Sequence, residues 1–230
     1  VNLDICKKDL HDSWEAEQMG FSAFDNLAPS FADFVIGHVA SKVADRTEKN
    51  IWSGSTATSG QFDGFATLLD ADTNLPSGQD LTGAAITSAN VLDELGAVVD
   101  AIPTAVYGSE DLHIYAASDV VRAYTRALGG FQSGGQGANG YENKGNNQSL
   151  GSLFFDGIPV VAIRGAAAGT IVAAEKSNLF FGTGLLNDLN EVRVIDMAEN
   201  DGSQNVRIVM RFTAGVQYAQ VTDIVYRKTV

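Results

Sequence analysis

The sequence predicts a mixed α+β chain, and three observations carry that expectation. Some twenty residues near the front repeat apolar positions every three or four, a helix, strand, helix pattern follows, and beyond residue 150 the repeat shortens to two. The chain has 230 residues, 45% hydrophobic and 19% charged, which lets it bury about 70 to 75% of its unfolded surface and excludes a disordered linker. No run of 18 consecutive apolar residues exists that could form a membrane-spanning helix.

Pro29-Ser30-Phe31-Ala32-Asp33 sets a serine three residues ahead of a carboxylate, which suits a helix start: the hydroxyl caps a backbone donor and Asp33 favours the dipole. Phe31, Phe34, Val35, Val39 and Val43 then recur at helical spacing, so a helix is expected over 30–51, about 33 Å long at 1.5 Å per residue. His38, between Val35 and Val39, is expected to be packed or interfacial. Residues 52–60 read as a small-residue loop, with order resuming at Phe62. Val91, Leu92, Leu95, Val98, Val99 and Ile102 predict a second helix over 87–102, stopped by Pro103. Leu112-His113-Ile114-Tyr115 alternates like a strand, and Ser118 to Leu128 reads as a helix ended by Gly129-Gly130.

Residues 129–149 hold seven glycines around Phe131 and Tyr141, too little apolar surface to offset ordering entropy. Such a loop is a binding edge or a tip that a partner orders. Leu153-Phe154-Phe155 then turns at Asp156-Gly157 into Ile158 to Ile163, with Pro159 implying an edge or strand-entry position. Val192 to Met197 and Val206 to Phe212 predict a hairpin around Asp201-Gly202. In its second strand Val206, Ile208, Met210 and Phe212 share one face and Arg207 and Arg211 the other; Val216 to Tyr226 adds an extended segment.

Formal charge is −13, and the excess is regional: 8 basic against 21 acidic residues before Arg164, 7 against 7 from there on. No basic stripe that could displace counterions appears in the first two thirds of the chain, which argues against tight DNA binding. A chain with this division can complement itself, so Arg207 and Arg211 are either a solvated face or ion-pair donors to the acid-rich region of a neighbouring copy. The chain opens Val-Asn-Leu-Asp without an initiator Met, as a processed or trimmed product would.

Catalytic and metal chemistry find no motif. The three histidines, His11, His38 and His113, form no HxxxH pair, and the single cysteine, Cys6, has neither a disulfide partner nor a zinc-like spacing. No GxSxG elbow occurs, and the glycines of 129–149 follow a helix and precede a strand, the reverse of a phosphate cradle. Asp70, Asp72, Asp93, Glu94 and Asp100 could hold a hard cation only if the fold gathered them. No catalytic, cofactor-binding or metal residues are therefore assigned, and no cofactor is expected.

The order of elements carries a resemblance. The long helix ending in Asn50-Ile51-Trp52-Ser53-Gly54, the Phe62-Asp63-Gly64-Phe65 segment, Leu153-Phe154-Phe155-Asp156-Gly157-Ile158-Pro159-Val160-Val161, then Asn178-Leu179-Phe180-Phe181-Gly182-Thr183 and long terminal strands resemble the major capsid proteins of tailed bacteriophages. The resemblance implies a long spine helix and β-hairpin in a peripheral domain (1–64 and 166–214) and an α/β axial domain (65–165), which 215–230 can rejoin. Residues 3–20, with Trp14 and Met19, would be a stem, the N-terminal arm and extended loop being largely absent. It implies a structural, non-enzymatic subunit of an icosahedral shell around double-stranded DNA, located in the virion and assembled in the host cytoplasm. Its partners would be other copies of itself, with scaffold, portal and decoration proteins as further candidates; the DNA would be enclosed without sequence-specific binding, and no membrane is involved. Phe131, Gly134, Gly135, Gly137, Asn139, Tyr141, Arg207 and Arg211 are the candidate assembly residues. An encapsulin-like nanocompartment is the alternative of the same architecture; a small hydrolase and a glycan-binding module are the competing classes.

Overall fold

A computed structural model describes residues 2–6, 31–128, 153–184, 192–197, 202–203, 205–210 and 212–229. The Ser30 cap, Trp14, Met19 and the 129–149 loop lie outside the described residues. The chain divides into two compact units, one of residues 1–47 and 183–214, the other of 48–182 and 215–230.

In the first unit, β1 (Asn2–Cys6), β9 (Asn205–Met210) and β8 (Val192–Asp196) form an antiparallel sheet in the order β1-β9-β8. Leu3 pairs with Ile208 and Ile5 with Val206, so the apolar sides of the outer and central strands coincide. Val206 and Ile208 are buried against Val39, with Ile5, Val43 and Val194 around them. Val39 and Val43 belong to α1 (Phe31–Ser53), the long helix that the apolar spacing predicts, about 35 Å at 1.5 Å per residue. His38 is exposed, one residue and about 100° round the helix from buried Val39, so its expected packing inside this chain is not found.

The second unit is built on a six-stranded mixed sheet. Its strands are β2 (Asp80–Gly83), β3 (Leu112–Ala117), β4 (Leu153–Phe155), β5 (Ile158–Ile163), β6 (Ile171–Glu175) and β11 (Val225–Thr229), in the order β2-β11-β6-β3-β5-β4. One face packs on α3 (Val91–Asp100) and α4 (Ser118–Ala127): Ile114, Ala116, Ile171, Ala173 and Val225 meet Val91, Leu95, Val98, Val120 and Tyr124. The other face carries Val172, Ala174 and Tyr226 against Trp52 at the end of α1 and Phe65 and Leu69 of α2 (Phe65–Ala71). α3 begins four residues later than the periodicity suggests, because Asn90 Oδ1 accepts from both the Thr87 amide (2.6 Å) and its hydroxyl (2.9 Å), holding 87–90 as a turn.

Asp156 (φ 48°) and Gly157 (φ 80°) both adopt the left-handed region, as a two-residue hairpin turn requires. Pro159 faces Phe154, one residue before parallel pairing with β3 starts at Val160, so its missing N–H falls at the strand's entry. Gly165 lies against the α1 backbone: a Cβ there would overlap the Glu48 carbonyl and Lys49 Cα, and the Gly165 carbonyl accepts from Ser53 Oγ at 2.7 Å.

Residues 48–64 and 166–182 count with the larger unit, because Trp52 packs beneath its sheet and β6 lies among its central strands. The segment expected over 216–226 is two strands, β10 (Ala214–Tyr218) and β11, separated by a short 3-10 turn at Val221–Asp223; β10 pairs instead with β7 (Leu179–Thr183).

Candidate functional site

Arg207 is the one predicted assembly residue among those described; Phe131, Gly134, Gly135, Gly137, Asn139, Tyr141 and Arg211 lie outside them. Arg207 stands directly opposite Asp4 in the β1–β9 register, and its fork is bidentate, Nε to Oδ1 at 2.6 Å and Nη2 to Oδ2 at 2.9 Å. The hydrogen bond from Arg207 holds the Asp4 carboxyl below the usual carboxylate range. A carboxylate partner of this arginine is therefore found in its own chain, on the outward face that also carries Ile195.

The acidic residues do not gather into a cation site; among the described residues no three histidine, cysteine or carboxylate side chains are placed to hold a metal. Several converge instead on the terminal strands. Lys228 reaches Asp70 at 2.7 Å and Asp80 at 3.4 Å, and Tyr226 Oη donates to Asp70 at 3.4 Å. On the opposite face of β11, Arg227 is 1% exposed. It donates to Glu94 Oε2 (3.0 Å), the Gly169 carbonyl (2.7 Å), Thr229 Oγ1 (2.8 Å) and the Ala84 carbonyl. Sequence reasoning missed this cluster. Its only signal was an arginine between Tyr226 and a lysine in a strand pattern, which ordinarily marks a solvated side.

Tyr218 Oη donates to Asp72 at 2.7 Å, and that bond keeps the Asp72 carboxyl low. Burial, then the Asp72 contact, pushes the Tyr218 phenol well up; burial and the Asp70 charge do the same to Tyr226, and burial raises Tyr115 and Tyr124. A phenol whose folded pKa is raised stabilises the fold fully below its unfolded value, about 10, and that contribution is lost as pH climbs through the folded value. The Asp72 contribution has the opposite sense, present above the ordinary carboxylate pKa and lost as pH falls through the lowered one. Near-ultraviolet phenolate absorbance of the native chain should thus show a late tyrosine group that collapses into one step near pH ~10 on unfolding in urea. Tyr218→Phe should shrink that late group; a native titration matching the unfolded one would contradict the placement.

Several apolar side chains remain uncovered within the chain. Phe154 (53% exposed) and Val161 (38%) share one face at the β4 edge of the six-stranded sheet. Phe180 (52%) and Phe181 (49%) project from opposite faces of the β7–β10 ribbon, whose strands carry no charge, and Leu92 (44%) lies on the outward side of α3. Exposed aromatics on uncharged strands are surfaces that proteins ordinarily cover.

No protein-family model matches this sequence, and no curated protein does. Solved structures do match, over nearly the whole chain. A chain in the procapsid of satellite phage P4, which includes the size determination protein, aligns with 99% of this chain and 74% of its own at TM-score 0.61 and 10% identity. The capsid of an empty GTA particle aligns with 100% and 71% at TM-score 0.57 and 16% identity. The holo-SrpI encapsulin complex of Synechococcus elongatus aligns with 99% and 72% at TM-score 0.56 and 14% identity. At such identities the likeness is one of fold.

Proposed function

Because the chain has the fold of tailed-phage major capsid proteins, we propose that it is a structural shell subunit. In this reading it self-assembles into hexameric and pentameric capsomers of an icosahedral capsid enclosing double-stranded DNA. The observation that carries it is alignment of 99 to 100% of the chain with shell-forming neighbours at TM-scores of 0.57 and 0.61. The physical features support it. Phe154, Phe180 and Phe181 on edge strands, with Val161 on the strand beside β4, offer exposed apolar surface, and a lattice can build on contacts that are individually weak because it repeats them. The net charge of −13 suits a wall that encloses a polyanion without gripping it. The role asks for no catalytic group, and none of the ion pairs described above is arranged as an acid, base or nucleophile set.

Within this reading, Phe131, Gly134, Gly135, Gly137, Asn139, Tyr141, Arg207 and Arg211 remain proposed contacts between copies, the virion is the location, assembly occurs in the host cytoplasm, and scaffold, portal and decoration proteins are further partners. The encapsulin-like alternative is favoured by one specific observation, the match to the SrpI shell. Portal and terminase genes beside this one support the capsid; a cargo-enzyme gene supports the nanocompartment. Negative-stain microscopy and sedimentation of the 230-residue chain test the common claim. Polyhedral particles or ring-shaped capsomers are expected, and a monomer persisting at every concentration overturns it.

A further inference from the structure

The two helices on the outer side of the six-stranded sheet expose opposite charges. On α3, Leu92, Asp93, Ala97 and Asp100 are exposed and fall within about 140° of arc at 100° per residue, opposite the buried Val91, Leu95 and Val98. On α4, Arg122 and Arg126 are one turn apart and exposed above buried Val121 and Tyr124. The helices pack side by side, yet neither arginine pairs with Asp93 or Asp100; among the described residues the Arg122 guanidinium donates to its own helix, to the Ser118 carbonyl at 3.1 Å. The other cations of the second unit's terminal strand, Arg227 and Lys228, are taken up by Glu94, Asp70 and Asp80. Two complementary surfaces of one unit are thus left without each other.

We propose that these surfaces meet between copies: Arg122 and Arg126 of one subunit dock on Asp93 and Asp100 of the next. The proposal rests on the shell reading and names the contact that reading needs. Arginine forks match carboxylates in two-point geometry, and their aliphatic stems cover an exposed leucine such as Leu92. The shell reading takes this contact head-to-tail, each copy offering its arginines to one neighbour and its carboxylates to another, rather than as the two-fold pair that side-by-side patches also permit. A head-to-tail contact propagates into a ring or an open lattice, whereas a self-complementary patch would stop at a dimer.

The experiment uses charge reversal in the full chain. Arg122→Glu/Arg126→Glu and, separately, Asp93→Lys/Asp100→Lys set like charges face to face, and each should lower particle yield about tenfold or more. The fourfold variant carrying both changes restores the pairing in reverse and should recover assembly, which also shows that the substituted surfaces fold. Mixing the two one-sided variants should restore only alternating rings with an even number of subunits, so six-membered rings form and five-membered ones do not. If the unsubstituted chain forms particles and both one-sided variants do so at the same yield, the assignment falls while the shell reading stands. If the one-sided variants fail and the fourfold variant fails too while remaining folded by circular dichroism, the pairing is overturned as well. If the unsubstituted chain forms no particles, the shell reading falls first and this contact with it.

Discussion

Arg227→Leu should lower the unfolding free energy by about 3 to 5 kcal/mol, the usual cost of removing one partner from a buried ion pair. The guanidinium is 1% exposed and its nitrogens serve Glu94, Gly169, Ala84 and Thr229 together. Leucine fills part of the volume but leaves the buried Gly169 carbonyl without this donor and Glu94 without its counter-charge. Glu94 is 22% exposed, so water recovers some of its solvation and the lower end of that range is expected. The position matters because β11 lies between β2 and β6; a loosened β11 strips both neighbours of backbone partners. Urea denaturation measures the loss. Adding Glu94→Leu should return part of it, since the orphaned charge is then gone. A single-variant loss under about 1 kcal/mol would contradict the buried geometry.

Trp52→Ala should cost about 3 to 5 kcal/mol, as large aromatic truncations in packed cores do. Trp52 is 8% exposed, and its ring centroid lies 5.4 Å from both Phe65 and Tyr115, tilted against each. It joins the end of α1, the start of α2 and the sheet in one contact, so truncation removes aromatic pairing as well as buried area. Trp52→Phe retains part of the contact and should lose less. Equilibrium unfolding followed by circular dichroism reads the difference. A loss below about 1 kcal/mol for the alanine variant would mean that the ring does not anchor α1.

The elements that periodicity announces are those buried on one side only. Val39 and Val43 recur at helical spacing because one stripe of α1 faces its sheet, and Val206 and Ile208 alternate with Arg207 because β9 has one dry face. The Asp156-Gly157 turn is legible because few residue pairs accept two positive φ angles, and α4 because its apolar and charged positions separate cleanly. β6 escaped notice for the complementary reason. Ile171-Val172-Ala173-Ala174 is buried on both faces, so nothing alternates, and its two alanines carry no strand preference. β1 was equally silent, with only five residues and a pairing partner some two hundred positions away.

The candidate site shows the same division. Regional charge was countable, and it pointed to self-complementation. Which charges stay at home was not. Glu94 and Arg227 are 133 residues apart, Asp70 and Lys228 are 158 apart, and Asp4 and Arg207 are 203 apart.

By itself the sequence determined the long helix, the one-sided helices and strands, the turn chemistry and the uneven charge, because each depends on neighbours within a few turns of chain. Strand order, the place of β6 among the central strands, the burial of Arg227 and the exposed charged faces of α3 and α4 were decided by the tertiary structure alone. Those features arise from contacts between distant segments, and no local preference specifies which of many similar carboxylates will lie opposite a given cation once the sheet has closed.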